Sequence, residues 1–468
     1  MRVFFIYSDF RVRGGEVSYH LGIGRLSAIL KKYGHQTGLF HMYKKYDPQS
    51  LIGKIKEFEP DILAYSSMTD QYKYTQSLIK ETSKLGIYTI LGGNHPTLVP
   101  ECIEEQGVDA ICRGEGEYAL LEFVTKFANK EDLRDTESFW VKQNGNIYKN
   151  PCRPFIQNLD ELPFGDRSIF DYQKIIRYNY DRVDFMASRG CPYRCTYCCN
   201  SKFWEIQKGR YVRYRSVENL LKEIKEVVDI WPAKTVFLQD DTFTFKSNKT
   251  MVLEFCQRYK EEIGIPLMVH TRSEDASYEM FQALKDAGCY RIAFGIESGN
   301  EELRRNILKR NMSNEEIKRS FKIAKDCGLI AKSFNMVGLP GETKELFQDT
   351  INLNIAIKPD IFTISTYVPY PTTPLYEYCQ EKGYLTERYK DQDFMPRIDT
   401  TLNLPDFSAK EILNCYRNFG YNIYKKSSWK KAIIYKVYYS RFGEIVIRIL
   451  GPLKKLFFRL VERPIKKS

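Results

Sequence analysis

Short apolar runs recur through the first 130 residues: "VFFIY", "TGLFHMY", "DILAYSS", "YTILGG" and "DAICRG". Between them, "GRLSAILKKYG" and "YTQSLIKETSKLG" read as helices, each ending near a glycine suited to a C-cap. Strands alternating with helices predict a parallel sheet with helices on both faces. Ligands on such sheets bind beyond the carboxyl ends of the strands.

The pattern changes over residues 131–180. Pro151, Pro154 and Pro163 interrupt it, and "SFWVKQNGNIYKN" predicts a hairpin turning at Asn144-Gly145. This stretch is expected to bridge two domains. Beyond it, six strand candidates recur: "VDFMAS", "TVFLQD", "LMVHT", "RIAFGIE", "AKSFNMVG" and "FTISTYV". Helices between them carry start signals, Ser216 as one N-cap and Ser313 with Glu316 as a capping box. Six β/α units predict most of a TIM-like barrel over 181–399, with its site at the C-terminal ends of the strands. Residues 400–468 read as a basic helical region. The predicted class is α/β throughout.

A length of 468 residues suits two or three domains. The N-terminus reads as a first strand rather than a signal peptide, and no segment has the eighteen or so uncharged apolar residues of a membrane span. The net charge is +12, but thirteen Lys and Arg against Glu444 and Glu462 put +11 of it after residue 420. Twelve cysteines are scattered except for one cluster. That usage argues against a disulfide framework and for a reducing, cytoplasmic setting.

The cluster is "CPYRCTYCC", with Cys191, Cys195, Cys198 and Cys199 on a loop after the first barrel strand. Gly190 and Pro192 shape a tight turn that brings sulfurs together. Thiolates in a compact loop suit an iron–sulfur cluster or zinc. Structural zinc would want a second pair of ligands, and none lies nearby in the sequence. "SRGCPYRCTYCCN" closely resembles the signature of the radical S-adenosylmethionine (SAM) family, with Tyr197 in the aromatic slot before the third ligand. The resemblance implies that Cys191, Cys195 and Cys198 bind a [4Fe–4S] cluster, that its open iron chelates SAM, and that SAM cleavage yields a 5′-deoxyadenosyl radical. Cys199 is then a packing residue.

Other barrel segments fit the same resemblance. Asp240 or Asp241 in "FLQDDTF" is expected to face the SAM amino group. Arg272 in "HTRSE" is expected to pair with its carboxylate. Glu297 in "FGIESGNEELRRNILKR" is expected at the ribose or just behind it. "MVGLPGET" matches a frequent fifth-strand loop. In "YPTTPLYEY", Thr372 stands where the family commonly has glycine.

The first region is similar to the cobalamin-binding domain found ahead of many radical SAM barrels, through "GIGRLSAILKKYGHQTGLF", "DILAYSSMTDQY", "ILGGNHPTLVPE" and "DAICRGEGEYALLEFV". This implies a flavodoxin-like (Rossmann-like) sheet over 1–130. Ser66, Ser67 and Thr69 would border the corrin tail, Gly92 and Gly93 would let it pass close to the backbone, and Gly114 and Glu115 would lie in the next loop. The D-x-H-x-x-G motif of many cobalamin domains is not intact: His35 and Gly38 have the spacing, but Tyr33 replaces the Asp. No His ligand to cobalt is expected, and His95 is expected to be a loop histidine.

The two cofactors together imply a C-methyltransferase: the radical removes hydrogen from an unactivated carbon, methylcobalamin supplies methyl, and a second SAM restores it. Two alternatives keep the radical chemistry: a cobalamin-dependent cyclase or oxidative enzyme, and a cobalamin-free radical enzyme. A zinc-dependent nucleic-acid binder lacks paired Cys/His spacing, so no nucleic-acid partner is expected. Methylthiotransferase chemistry is disfavoured, because only Cys102 and Cys112 lie in the first domain. The expected partners are a small-molecule or lipid-like substrate and an electron donor such as flavodoxin or ferredoxin. In the tail, Ile433, Ile434, Val437 and Tyr438 recur at helical spacing among lysines, and so do Leu453, Leu456, Phe457 and Leu460. Such a stretch either packs on the barrel or lies peripherally on the inner face of the membrane.

Overall fold

The computed structural model describes residues 1–9, 17–43, 48–390 and 398–440. The first sheet has seven strands in the order β2-β1-β3-β4-β5-β6-β7. They are β1 (Arg2–Ser8), β2 (Gln36–Met42), β3 (Ile62–Ser66), β4 (Tyr88–Gly92), β5 (Ala110–Cys112), β6 (Phe139–Gln143) and β7 (Asn146–Lys149). The first five pair in parallel, as their alternation with helices requires.

Side-chain alternation along β1 explains the layering. Val3, Phe5 and Tyr7 pack with Ile23, Leu30, Leu120 and Phe123 from helices Leu21–Lys32 and Glu117–Asn129. Phe4 and Ile6 pack on the other face with Leu51, Ile55, Leu78 and Ile79 from helices Pro48–Phe58 and Tyr72–Thr82. Both faces are buried, which is why these strands read as nearly continuous apolar runs. The predicted hairpin is present, with Asn144 and Gly145 both left-handed. It does not stand between the domains. β6 adds to β5 in antiparallel and β7 closes the edge.

The second sheet follows β8 (Arg182–Phe185). β9 (Ser188–Arg189) and β10 (Arg213–Tyr214) form a separate two-residue antiparallel ladder. β11 (Thr235–Leu238), β12 (Leu267–Thr271), β13 (Cys289–Glu297), β14 (Ile330–Val337) and β15 (Ile361–Thr366) complete the chain order. The sheet runs β15-β14-β13-β12-β11-β8, parallel throughout, as a curled half-barrel covered outside by helices. The expected caps form: Ser216 accepts from the Asn219 amide, and Ser313 and Glu316 make a reciprocal capping box.

One buried carboxylate ties the two sheets together. Glu223, on helix Val217–Ile230, meets Arg25 of the first domain at 3.5 Å, Arg167 of the connecting segment at 3.0 Å and Arg215 of the barrel at 2.5 Å.

After β15, helix Ala409–Tyr424 lays Phe419 against Phe362. Helix Trp429–Tyr438 then stacks Tyr435 on the same ring, 4.4 Å between centroids. The apolar stripe expected here is divided. Ala432 and Tyr435 are buried against the barrel, while Trp429, Ile433, Ile434 and Val437 are exposed. Leu453, Leu456, Phe457 and Leu460 lie outside the described residues. Among the described residues, no helix is long and apolar enough to cross a membrane.

Candidate active site

The cysteine loop leaves the barrel through β9. Gly190 has φ +84°, and a Cβ there would lie 2.4 Å from the Tyr211 carbonyl oxygen, so only glycine permits the turn. Cys191 and Cys195 are buried, and Cys198 and Cys199 are half-buried at the start of helix Asn200–Ile206. Cys195 faces the barrel, with Arg272 Nη1 3.3 Å and Arg310 Nη1 3.7 Å from its sulfur. Burial pushes the Cys191 thiol up to about 12. The Cys199 thiol donates to the Cys198 sulfur, which lowers the pKa of Cys198 and raises that of Cys199. Among the described residues, no three His, Cys, Asp or Glu side chains converge to hold a single metal ion. A cluster makes a different demand, since three thiolates on it bind three separate irons. The donor set of the loop, three thiols near two guanidiniums, fits an anionic iron–sulfur group.

The strand ends around this loop hold the other barrel residues. Tyr197 is half-buried, and its hydroxyl accepts from Arg310 Nη1 at 3.0 Å. Glu297 closes β13 in the left-handed region, at φ +67°, beside Tyr197 and Arg310, and burial raises its pKa. Arg272 is held by Glu274, with Nη2–Oε1 at 2.5 Å, and its guanidinium lies 3.6 Å from the centroid of the Tyr193 ring. The two adjacent aspartates point apart. Asp240 is buried and accepts from the Ala187 amide at 3.1 Å and from the Ser188 hydroxyl. It therefore braces the base of the cysteine loop, and burial raises its pKa to about 6. Asp241 is exposed and accepts from Asn200 at 2.9 Å.

Between the first sheet and the cysteine loop lies a cavity of 480 Å³. Ala64, Ile90 and Leu120 supply part of its apolar wall, and Cys198, Cys199 and Asp241 border it on the barrel side. Ser66, Gly92, Gly93, Gly114 and Glu115 all line it. Gly93 has φ +100°, and a Cβ would sit 2.7 Å from the Ser67 carbonyl oxygen. The rim is thus backbone, with room that side chains would fill, which fits a large planar cofactor. Two expected members are placed elsewhere. Ser67 turns inward, donating to the Met68 carbonyl and accepting from Thr75. The Thr69 hydroxyl meets His95 Nδ1 at 3.3 Å. The Glu115 carboxylate is already engaged: Arg189 and Arg213 grip it at 2.9 and 2.8 Å, and the Ile156 amide donates to it at 2.8 Å. It clamps the two domains.

The histidines separate clearly. His35 precedes β2, at the amino end of the sheet, opposite the cavity, with Nδ1 3.4 Å from the Met1 amine. His95 is buried in helix Asn94–Leu98 and stacks on Tyr72 at 3.7 Å. His20 was not singled out by the sequence, yet it lines the cavity. Its Nδ1 accepts from the Ile23 amide at 3.0 Å as a helix N-cap, and its Nε2 is 3.3 Å from Ser66 Oγ. An accepting Nδ1 puts the proton of the neutral ring on Nε2, so this histidine presents a donor to the cavity, not a metal lone pair. Burial lowers its pKa to about 4.

Arg310 and Glu274 were also missed. Arg310 lies within a quoted segment but has no motif spacing of its own. Only the fold brings it to Cys195.

A parallel-sheet domain and a half-barrel meeting at a cysteine loop define a two-cofactor enzyme class, and the comparisons agree. The Radical SAM superfamily profile matches residues 186–353, and the B12 binding domain profile matches residues 11–124. An uncharacterized methyltransferase of Pyrococcus horikoshii, PH0819, is 30% identical over 418 residues, covering 86% of each chain. The anaerobic magnesium-protoporphyrin IX monomethyl ester cyclase of Rubrivivax gelatinosus is 26% identical over 445 residues, covering 90% of this chain and 78% of its own. The solved structure of OxsB, a cobalamin-dependent SAM radical enzyme with aqua-cobalamin and SAM bound, superposes with a TM-score of 0.71 at 16% identity, over 98% of this chain and 75% of that one.

The chain belongs to the cobalamin-dependent radical SAM methyltransferase family, a radical SAM enzyme with a B12-binding domain. Its cofactors are a [4Fe–4S] cluster, SAM and cobalamin.

Proposed function

We propose that this enzyme methylates an unactivated carbon of a small-molecule substrate. The observation that carries the reading is the continuity of one cavity from the glycine rim of the first sheet to Cys198 and Cys199. When bound, the cluster and SAM supply a carbon-abstracting radical, and cobalamin supplies the methyl group. The protein's part is placement. Cys191, Cys195 and Cys198 hold the cluster, while Cys199 stays a thiol that donates to Cys198. Arg272 and Arg310 offset negative charge at Cys195, and Arg310 orients Tyr197. Asp241 and Glu297 face the SAM side of the loop. Ser66, Gly92, Gly93 and Gly114 border the corrin, and His20 donates into that cavity. Domains 1–130 and 181–399 divide these tasks.

The test is iron content and SAM cleavage after anaerobic reconstitution. Cys191→Ala, Cys195→Ala and Cys198→Ala should each lose the cluster and cleavage, and Cys199→Ala should keep both. Four irons retained in any of the first three would refute the ligand set. A cyclase is the second reading, favoured by the 26% identity to the Rubrivivax gelatinosus enzyme. Product mass separates the two, because only methyl transfer adds a CH2.

Two partner readings rest on surface charge. Exposed Arg194, Lys208 and Arg210 flank the cysteine loop, which supports an acidic electron donor such as a flavodoxin or ferredoxin. Exposed Trp429, Ile433, Ile434 and Val437 beside Lys430 and Lys431 support peripheral contact with an anionic membrane and a lipid-like substrate.

A further inference from the structure

The half-barrel has an inner face that the cavity does not explain. Val183, Phe185, Val236, Leu238, Val269 and Phe294 belong to the core beneath the outer helices. Alternation along the strands therefore turns Arg182, Asp184, Phe237, His270, Arg291 and Lys332 inward. Phe334 lies two residues beyond Lys332 on the same face.

These side chains form one chamber. Arg182 lies over Phe237 at 5.1 Å and donates to Asp184 at 2.7 Å. His270 meets Phe237 edge-on at 4.9 Å and Phe334 at 5.5 Å. The Lys332 ammonium sits 4.7 Å from the Phe334 ring centroid. The register places His270 opposite Ala293, and Ala293 opposite Lys332, with Arg291 two residues behind. Burial, and then Lys332, Arg291 and Arg182, lower the His270 pKa to about 3, so the imidazole is neutral. Asp184 also accepts from Gln239 at 2.7 Å. Among the described residues, this lining carries three fixed cations against one carboxylate.

Its depth relates it to the reaction. Arg272 follows His270 by two residues, about 7 Å along a strand, and touches Cys195 at 3.3 Å. The chamber therefore lies one layer beneath the cysteine loop. None of Arg182, Asp184, Phe237, His270, Arg291 or Lys332 lines the domain-interface cavity. Cations set among aromatic faces at that depth recognise a phosphate, phosphonate or carboxylate on an otherwise apolar body.

We propose that this chamber receives the substrate, and that Arg182, Arg291 and Lys332 hold an anionic group on it while Phe237 and Phe334 flank its apolar part. The inference rests on the radical SAM reading and names the substrate class for it. Anchoring the anion at the base leaves a carbon above it, facing the cysteine loop.

Anaerobic holoprotein, with cluster, cobalamin and SAM, is titrated with three probes of one shape: phenylphosphonate, followed by 31P NMR, carboxyl-labelled benzoate, and benzyl alcohol as the neutral control. At least one anion should bind in preference to the alcohol, and which one separates phosphonate-type from carboxylate substrates. Arg291→Met and Lys332→Met should each weaken that anion tenfold or more, and Lys332→Arg should restore most of it. Cluster absorbance and SAM affinity should be unchanged in all three, which reports folding. Binding of neither anion, equal binding of the alcohol, or no response to either Met variant overturns the proposal. A wild-type protein that fails to hold the cluster or cleave SAM with dithionite would instead overturn the reading beneath it.

Discussion

Glu223→Gln removes the one negative charge shared by Arg25, Arg167 and Arg215. Glu223 is 2% exposed, so solvent screens little of the interaction. Burial alone would raise its pKa, but the three guanidiniums lower it from 4.5 to about 2. That difference corresponds to ~3 kcal/mol of preference for the charged form in the folded protein. An uncompensated buried charge costs about 3–5 kcal/mol by the same logic. The sign follows from linkage. A depressed carboxylate pKa gives stability that is present above pH 4.5 and is lost as the pH falls toward 2. Urea unfolding of the apoprotein, read by tryptophan fluorescence, measures it: Trp231 packs on Tyr172 at 5.2 Å, and Tyr172 lies under Arg167. The variant should lose ~3 kcal/mol at pH 7, and the gap from wild type should narrow below pH 4.5. Because Arg25 and Arg215 line the cavity, cobalamin affinity should fall as well. A loss under ~1 kcal/mol, or a gap that does not change with pH, would refute the idea that this carboxylate rivets the domains.

Thr372 is a β-branched residue at φ +62°, with a buried hydroxyl that has no hydrogen-bond partner. Thr372→Gly should stabilise the protein in thermal unfolding by about 1 kcal/mol, the left-handed cost less the entropy of glycine, and a destabilised variant would contradict the strain. Cobalt EPR of the cob(II)alamin-loaded protein should show no coupling to a protein imidazole nitrogen, because His35 is at the far end of the sheet and His20 accepts at Nδ1. Coupling that disappears in His20→Ala or His35→Ala would reverse this. Full-length protein should float with anionic vesicles more than with neutral ones, and a chain ending near Asn418 should not; equal flotation of the two would leave helix Trp429–Tyr438 as barrel packing alone.

The sequence by itself determined the elements and their order. Strand runs, Ser and Gly caps, and the Asn144-Gly145 turn are local signals, and each formed where its residues called for it. The cysteine loop was equally legible, because three thiols within eight positions bound one group through spacing alone. Tertiary structure decided what those residues touch. Asp240 and Asp241 are neighbours in sequence with similar chemistry, yet successive residues at a strand end point opposite ways, so one braces Ser188 and the other faces the cavity. Ser67, Thr69 and Glu115 sit at the right strand ends but spend their polar atoms on other protein groups. Arg310 reaches Cys195 across 115 positions of chain. The inner cations of the barrel come from three separate strands, β8, β13 and β14. Their convergence depends on register and curvature, which no local pattern of residues encodes.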